Sequence, residues 1–119
     1  MTLPEVDPAR LEDEWRADQD VLANLAGNGD KPEIVRTIDV SFRGDDAALS
    51  DLADQAPSLG FSVLEREEAE GATFLFLACE QGTDEASIRA LTLKCLQVEG
   101  MFDVEYDGWG CTAETGPTH

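Results

Sequence analysis

Residues 61–80, FSVLEREEAEGATFLFLACE, decide how this chain folds. Phe61 to Glu65 and Thr73 to Glu80 are runs rich in β-prone apolar residues, and the charged stretch Arg66-Glu67-Glu68-Ala69-Glu70-Gly71 between them has the composition of a turn. The two runs therefore read as an antiparallel hairpin. The second is apolar on both sides, with Phe74, Phe76 and Ala78 facing one way and Leu75, Leu77 and Cys79 the other, so both faces of that strand call for cover.

Working outward from the hairpin, Gly60 stops a helix that Asp45 or Asp46 can cap, with Leu49, Leu52, Ala53 and Ala56 as its apolar stripe and Pro57 shortening its last turn near Leu59. Ahead of it, Ile34 to Phe42 alternates Ile38, Val40 and Phe42 with Thr37, Asp39 and Ser41, the period of a half-buried strand. On the other side, Gly82-Thr83-Asp84 opens a helix carrying Ile88, Leu91, Cys95 and Val98, Gly100 closes it, and Phe102 to Asp107 alternates again. The order strand, helix, strand, strand, helix, strand is the split βαβ arrangement, an α+β, ferredoxin-like βαββαβ sandwich. An additional N-terminal helix precedes it over residues 8–26, capped by Asp7 with Pro8 in its first turn, its stripe formed by Leu11, Trp15, Val21, Leu22 and Leu25. That helix is expected to cover the second face of the sheet, with Trp15 as anchor. One domain fits the 119 residues, with residues 1–7 and 111–119 as flexible ends and the ferredoxin-like core over 34–108.

Eight basic against 26 acidic side chains leave a net charge of -18, beside a hydrophobic share of 42%. The apolar fraction supplies a core, while the charge makes the chain repel itself, so added salt should stabilise it. Such a chain cannot present the dense Lys and Arg that a phosphate backbone or an anionic membrane requires, and its partners should be basic. The longest apolar run, Phe74 to Cys79, falls far short of the roughly 20 residues of a membrane-crossing helix. With no secretory pattern at Met1 to Asp7, the expected location is cytoplasmic. The cysteines Cys79, Cys95 and Cys111 are widely spaced, which suits thiols in a reducing compartment better than a disulfide framework or a zinc site.

Residues 102–110, FDVEYDGWG, hold the best candidate site. Strand alternation puts Asp103, Glu105 and Asp107 on one face, and the neighbouring first strand adds Asp39. Like charges side by side on a sheet are destabilising. The bland reading is a solvated face; the functional one is a docking surface for Arg or Lys, with Trp109 as its aromatic anchor. Gly108-Trp109-Gly110 reads equally as a turn that folds Trp109 back on the core. No catalytic residues are identified: the single histidine, His119, has no partner for nucleophilic chemistry, and an open sheet face offers no pocket to raise a carboxyl pKa. No cofactor or metal loop is recognised, and Mg²⁺ held by the acidic strand is the weaker alternative.

The same nine residues resemble the signature near the C-terminal end of the regulator of ribonuclease E activity B (RraB) family. Gly29-Asp30, Thr37-Ile38, Asp45-Asp46 and Leu59-Gly60-Phe61-Ser62-Val63 are similar to features of that family, so the resemblance covers about residues 10–112. It implies a small, acidic, cytoplasmic, non-catalytic protein of ferredoxin-like fold that binds the endoribonuclease organising the RNA degradosome and inhibits or redirects RNA decay. The implied partner is a basic segment of ribonuclease E or of an RNA-decay complex. Unlike the proteobacterial inhibitor, which continues into a long acidic tail, residues 111–119 here contain Glu114 as their only acid. Alternatives are an acidic module or nucleic-acid mimic for another basic partner, a small metal-binding domain, and a homo-oligomer in which a second copy covers the apolar third strand.

Overall fold

The computed structural model describes residues 5–115. Helix α1, Pro8–Gly27, starts where the Asp7 carboxylate accepts the Ala9 N–H at 3.1 Å and Pro8 supplies a first-turn φ. It ends at Asn28, after which Gly29 takes a φ of +81°. Strand β1, Arg36–Arg43, is followed by α2, Asp46–Gln55, whose chain tightens into a short 3-10 turn over Ala56–Leu59 at Pro57 before Gly60. Strands β2, Ser62–Ala69, and β3, Ala72–Gln81, form the hairpin. Helix α3, Glu85–Phe102, is capped by Asp84, which accepts the Ser87 N–H at 3.1 Å, and β4, Glu105–Gly110, closes the sheet.

All neighbours in the sheet are antiparallel and the strand order is β2-β3-β1-β4, the order of the expected sandwich. The core lies between the sheet and the helices: Ile38, Val40 and Phe42 of β1 and Leu75 and Leu77 of β3 meet Leu49 and Leu52 of α2 and Ile88, Leu91, Cys95 and Val98 of α3. These are the apolar stripes visible in the sequence, and each residue named is buried.

Several expectations are overturned. Helix α1 does not cover the second face of the sheet; it joins the helix layer against α3. The reason lies in its side chains. Arg10 reaches Glu99 at 3.0 Å, Asp18 accepts from Thr92 at 2.6 Å, and Trp15 donates to the Arg89 carbonyl at 3.4 Å beneath that residue's guanidinium, 4.6 Å from the ring. A stripe carrying Arg10, Glu14 and Asp18 finds polar partners on α3 that the apolar side of β3 does not offer. Second, the fourth strand begins at Glu105. Helix α3 runs on to Phe102, past Gly100, and Asp103 ends it in the left-handed region at φ 57°.

The hairpin turn is also tighter than the charge run suggests, since β2 continues to Ala69 and the reversal is made at Glu70-Gly71. Residues 111–119 are expected to be a flexible tail; 116–119 lie outside the described residues, and 111–114 are tied down. The Lys31 N–H donates to the Glu114 carbonyl at 2.7 Å and the Glu114 N–H to Asp30 at 2.7 Å. Behind these bonds is a buried ion pair of Asp30 with Arg36, whose guanidinium also donates to the carbonyls of Ile34 and Lys31 at 3.0 and 2.8 Å. At the N-terminal end, Val6 packs against the core. His119 lies outside the described residues. Among the described residues, no helix is long and apolar enough to cross a membrane.

Candidate interaction surface on the open sheet face

With all three helices on one side, the other face of the sheet has no cover from them. Strand register places its side chains in rows. Ser62, Ala78, Asp39 and Gly110 form one row; Glu65, Phe76, Ser41 and Gly108 the next; Glu67, Phe74, Arg43 and Glu105 the third. Thr37 pairs with Glu80 beyond the first row and donates to its carboxylate at 2.6 Å. The middle of this face is therefore a short apolar strip, Phe74, Phe76 and Ala78, with carboxylates to either side.

Of the residues expected at the site, the structure brings three to this face. Asp39 is exposed and its register partner is Gly110, where an added Cβ would stand 3.7 Å from the Asp39 carboxylate. Glu105 is exposed and forms an ion pair with Arg43 across the strands. Asp107 is the extra residue of a bulge in β4, where the register shifts between Ser41 and Phe42. Glu105 first, by hydrogen bond and charge, and Asp107 by its charge hold the Arg43 guanidinium above its usual pKa.

The other two lie elsewhere. Asp103 caps α3 and borders a shallow hollow beside Asp51, Asp54, Met101 and Phe102, at the α2 side of that helix. Trp109 is turned inward by the bulge: it pairs with buried Val40, packs against the core and donates its indole N–H to Asp18 at 2.9 Å. Of the two sequence readings of Trp109, the inward one holds, although Gly108-Trp109-Gly110 is strand rather than turn. Sequence reasoning missed Glu65 and Glu67, which it placed at the end of a strand and in a turn, and it assigned Phe74 and Phe76 to a helix contact. Their alternation on β3 was the available signal.

The buried carboxylates Asp18 and Asp30 have structural partners. Asp18 is 3% exposed. Burial raises its pKa most, with the charge of Glu14 adding, against the hydrogen bonds from Thr92 and Trp109. Asp30 is opposite in sign: burial pushes it up, yet the hydrogen bonds from Thr83, the Glu114 backbone and Arg36 together hold it below the ordinary carboxylate value. Burial is the chief cause that pushes the thiols of Cys79, Cys95 and Cys111 up, so none is an activated nucleophile. Among the described residues no group of three or more His, Cys, Asp or Glu side chains is placed to hold a metal ion.

What this geometry can do is bind. A flat, negatively charged platform suits association with a cationic surface. Comparisons with known proteins show the family. A family model described as Regulator of ribonuclease activity B matches residues 15–111. A protein of that name from Photobacterium profundum is 32% identical over 114 residues, covering 88% of this chain and 84% of the relative. Another of the same name from Escherichia coli is 31% identical over 110 residues, covering 87% and 79%. The family match begins at Trp15 and ends at Cys111, taking in all four strands and the contacts that seat α1 through Asp18 and Trp109, and by it this chain belongs to the regulator of ribonuclease activity B (RraB) family.

Proposed function

We propose that this chain is a non-catalytic regulator that binds a basic segment of a ribonuclease E-type enzyme, or of its RNA-decay assembly, and slows RNA cleavage. The observation that carries the reading is the open sheet face, on which Asp39, Glu65, Glu67, Glu105 and Asp107 share the surface with a single cation among the described residues, Arg43. Enzymes that handle RNA collect it with clustered Lys and Arg. A negative platform competes with RNA for those side chains by the same Coulomb attraction, and is itself repelled by phosphate, so it occupies the enzyme without binding the substrate. The relatives' names, each a regulator of ribonuclease activity, agree with this role.

The test is a cleavage assay with purified ribonuclease E and a structured RNA, run with increasing amounts of this chain at low and moderate salt. Inhibition that weakens steeply with salt, and that is lost in a charge-reversed Asp39→Lys, Asp107→Lys variant with unchanged melting behaviour, is the expected result. Absence of association with the enzyme at low salt would overturn the proposal.

A further inference from the structure

The exposed sheet face has a feature that charge alone does not account for. Phe74 and Phe76 stand two residues apart on β3, an interior strand, with their rings stacked 6.4 Å between centroids and 25° between planes. Aromatic side chains in that position on a four-stranded βαββαβ sheet make a stacking platform, the device by which such sheets hold nucleobases. Here Glu65 is the register neighbour of Phe76 and Glu67 that of Phe74; on the far side Phe74 faces Arg43, which Glu105 neutralises, Phe76 faces Ser41, and Asp39 stands one row further along beside Ala78. A phosphodiester chain is repelled from such a shelf. A flat cation is attracted to it.

The neighbouring positions make room for one. On the β1 and β4 side the row of Phe76 holds Ser41 and Gly108, so that ring borders a low floor, while the row of Phe74 holds Arg43, whose guanidinium is drawn away from the ring into its ion pair with Glu105. On the β2 side, directly opposite side chains in a sheet have Cβ atoms about 4.5–5.5 Å apart, which brings each glutamate carboxylate to the edge of a ring. A group lying on the ring can then donate in its own plane to that carboxylate. Guanidinium meets both demands, a planar π-stacking cation with in-plane N–H donors; the lysine ammonium is a compact, strongly hydrated point charge and meets only the second. The spacing carries the argument further, because side chains two apart on an extended strand are about 6.6 Å apart, the interval between the two rings.

We infer that Phe74 and Phe76, with Glu65 and Glu67, form an arginine-reading shelf that accepts an extended segment with arginines at alternate positions. Each guanidinium lies on a phenylalanine ring and donates to the glutamate beside it. A second copy of this chain is a poor occupant, since it would bring the same negative face against itself. The inference deepens the function proposed above, and rests on it only for the identity of the protein that supplies the arginines.

Two labelled peptides of equal length test it, one alternating Arg with Gly and one alternating Lys with Gly, titrated into the purified chain by fluorescence anisotropy at moderate salt. The wild type is expected to prefer the arginine peptide. A Phe74→Leu, Phe76→Leu variant keeps the apolar volume but removes the π faces, and should lose the arginine peptide by roughly two- to fivefold per ring while holding the lysine peptide unchanged. A Glu65→Gln, Glu67→Gln variant should weaken both peptides. Urea denaturation shows whether each variant is folded, and the single Phe74→Leu and Phe76→Leu chains stand in if the double variant is not. Equal binding of the two peptides by the wild type, or arginine binding unaltered by the leucines, overturns the shelf. Ribonuclease inhibition that survives the leucine substitutions with full strength also overturns it and leaves the proposed function standing. Arginine preference without any effect on the ribonuclease supports the shelf and removes the ribonuclease.

Discussion

Replacing Asp18 tests the structural account most sharply, because the same carboxylate seats α1 and turns Trp109 inward. It is 3% exposed, accepts from the Thr92 hydroxyl at 2.6 Å and from the Trp109 indole N–H at 2.9 Å, and has no cation within ion-pair distance among the described residues. In an Asp18→Ala chain Thr92 can turn its hydroxyl to a carbonyl of its own helix, but the indole N–H is left with no acceptor, at a cost of about 1–3 kcal/mol. Asp18→Asn behaves differently. Its carbonyl oxygen still accepts from Trp109 and its amide donates to the Thr92 oxygen, so both contacts survive without burying a charge, and the variant should lie within about 1 kcal/mol of wild type at neutral pH. Burial raises the folded-state pKa of Asp18. The folded protein therefore holds this proton over a range where the unfolded chain has released it, and wild-type stability falls as pH rises through that interval. The stability difference between Asp18→Asn and wild type must then grow in favour of Asn from below the ordinary Asp value to above the raised one, and be constant beyond it. Urea denaturation followed by tryptophan fluorescence at a series of pH values measures this difference, and the charge common to both chains cancels. A difference that does not change with pH, or an Asn variant as unstable as the Ala variant, would refute the argument.

Two further substitutions probe the joints of the fold. Asp30→Ala strands Arg36, whose side chain is 3% exposed, as an uncompensated buried charge and should cost about 3–5 kcal/mol by urea denaturation. Because the folded pKa of Asp30 is depressed, its contribution is fully present above the ordinary carboxylate value and is lost as pH falls through the lower folded value, so the variant should lack that part of the acid transition. At Gly82 an added Cβ would meet the Pro32 carbonyl oxygen at 2.4 Å, and the Thr83 N–H already holds that oxygen at 2.9 Å. Gly82→Ala should therefore lower stability by about 1–3 kcal/mol, whereas Gly27→Ala, with nothing within 4 Å of its Cβ, should not; equal melting of the two chains would contradict the contact.

The element order was legible because each signal was local. Period-two alternation in Ile38, Val40 and Phe42, the cap at Asp7, the helix opening at Gly82-Thr83-Asp84 and the stop at Gly60 each declare themselves within a few residues, and the structure has them in those roles. What misled was a signal that depends on distant partners. Gly100 looks like the end of α3, yet the helix passes it because Val98 and the half-buried Phe102 have core to pack on, and Asp103 then supplies the left-handed turn. That shift of a few residues removes Asp103 from the acidic row. The bulge at Asp107 adds an odd residue to β4, so the parity that would have sent Trp109 outward with Phe102-based counting no longer applies, and the indole meets Asp18 instead.

The placement of α1 could have been inferred from charge. Covering the outer face of the sheet with a helix would have buried Asp39, Glu65, Glu67 and Glu105 together, with Arg43 as their neighbouring cation on that face. Desolvating a carboxylate costs several kcal/mol when it is not paired, and no single ion pair offsets a group of them. Against that, leaving Phe74 and Phe76 half exposed forfeits only part of about 1.5–3 kcal/mol for each ring. The acids thus decide the matter before the aromatics do: they keep the helix off, and the stacked rings stay open to solvent as a consequence. The residues proposed to attract a basic partner are the same ones whose desolvation cost leaves the surface available for it.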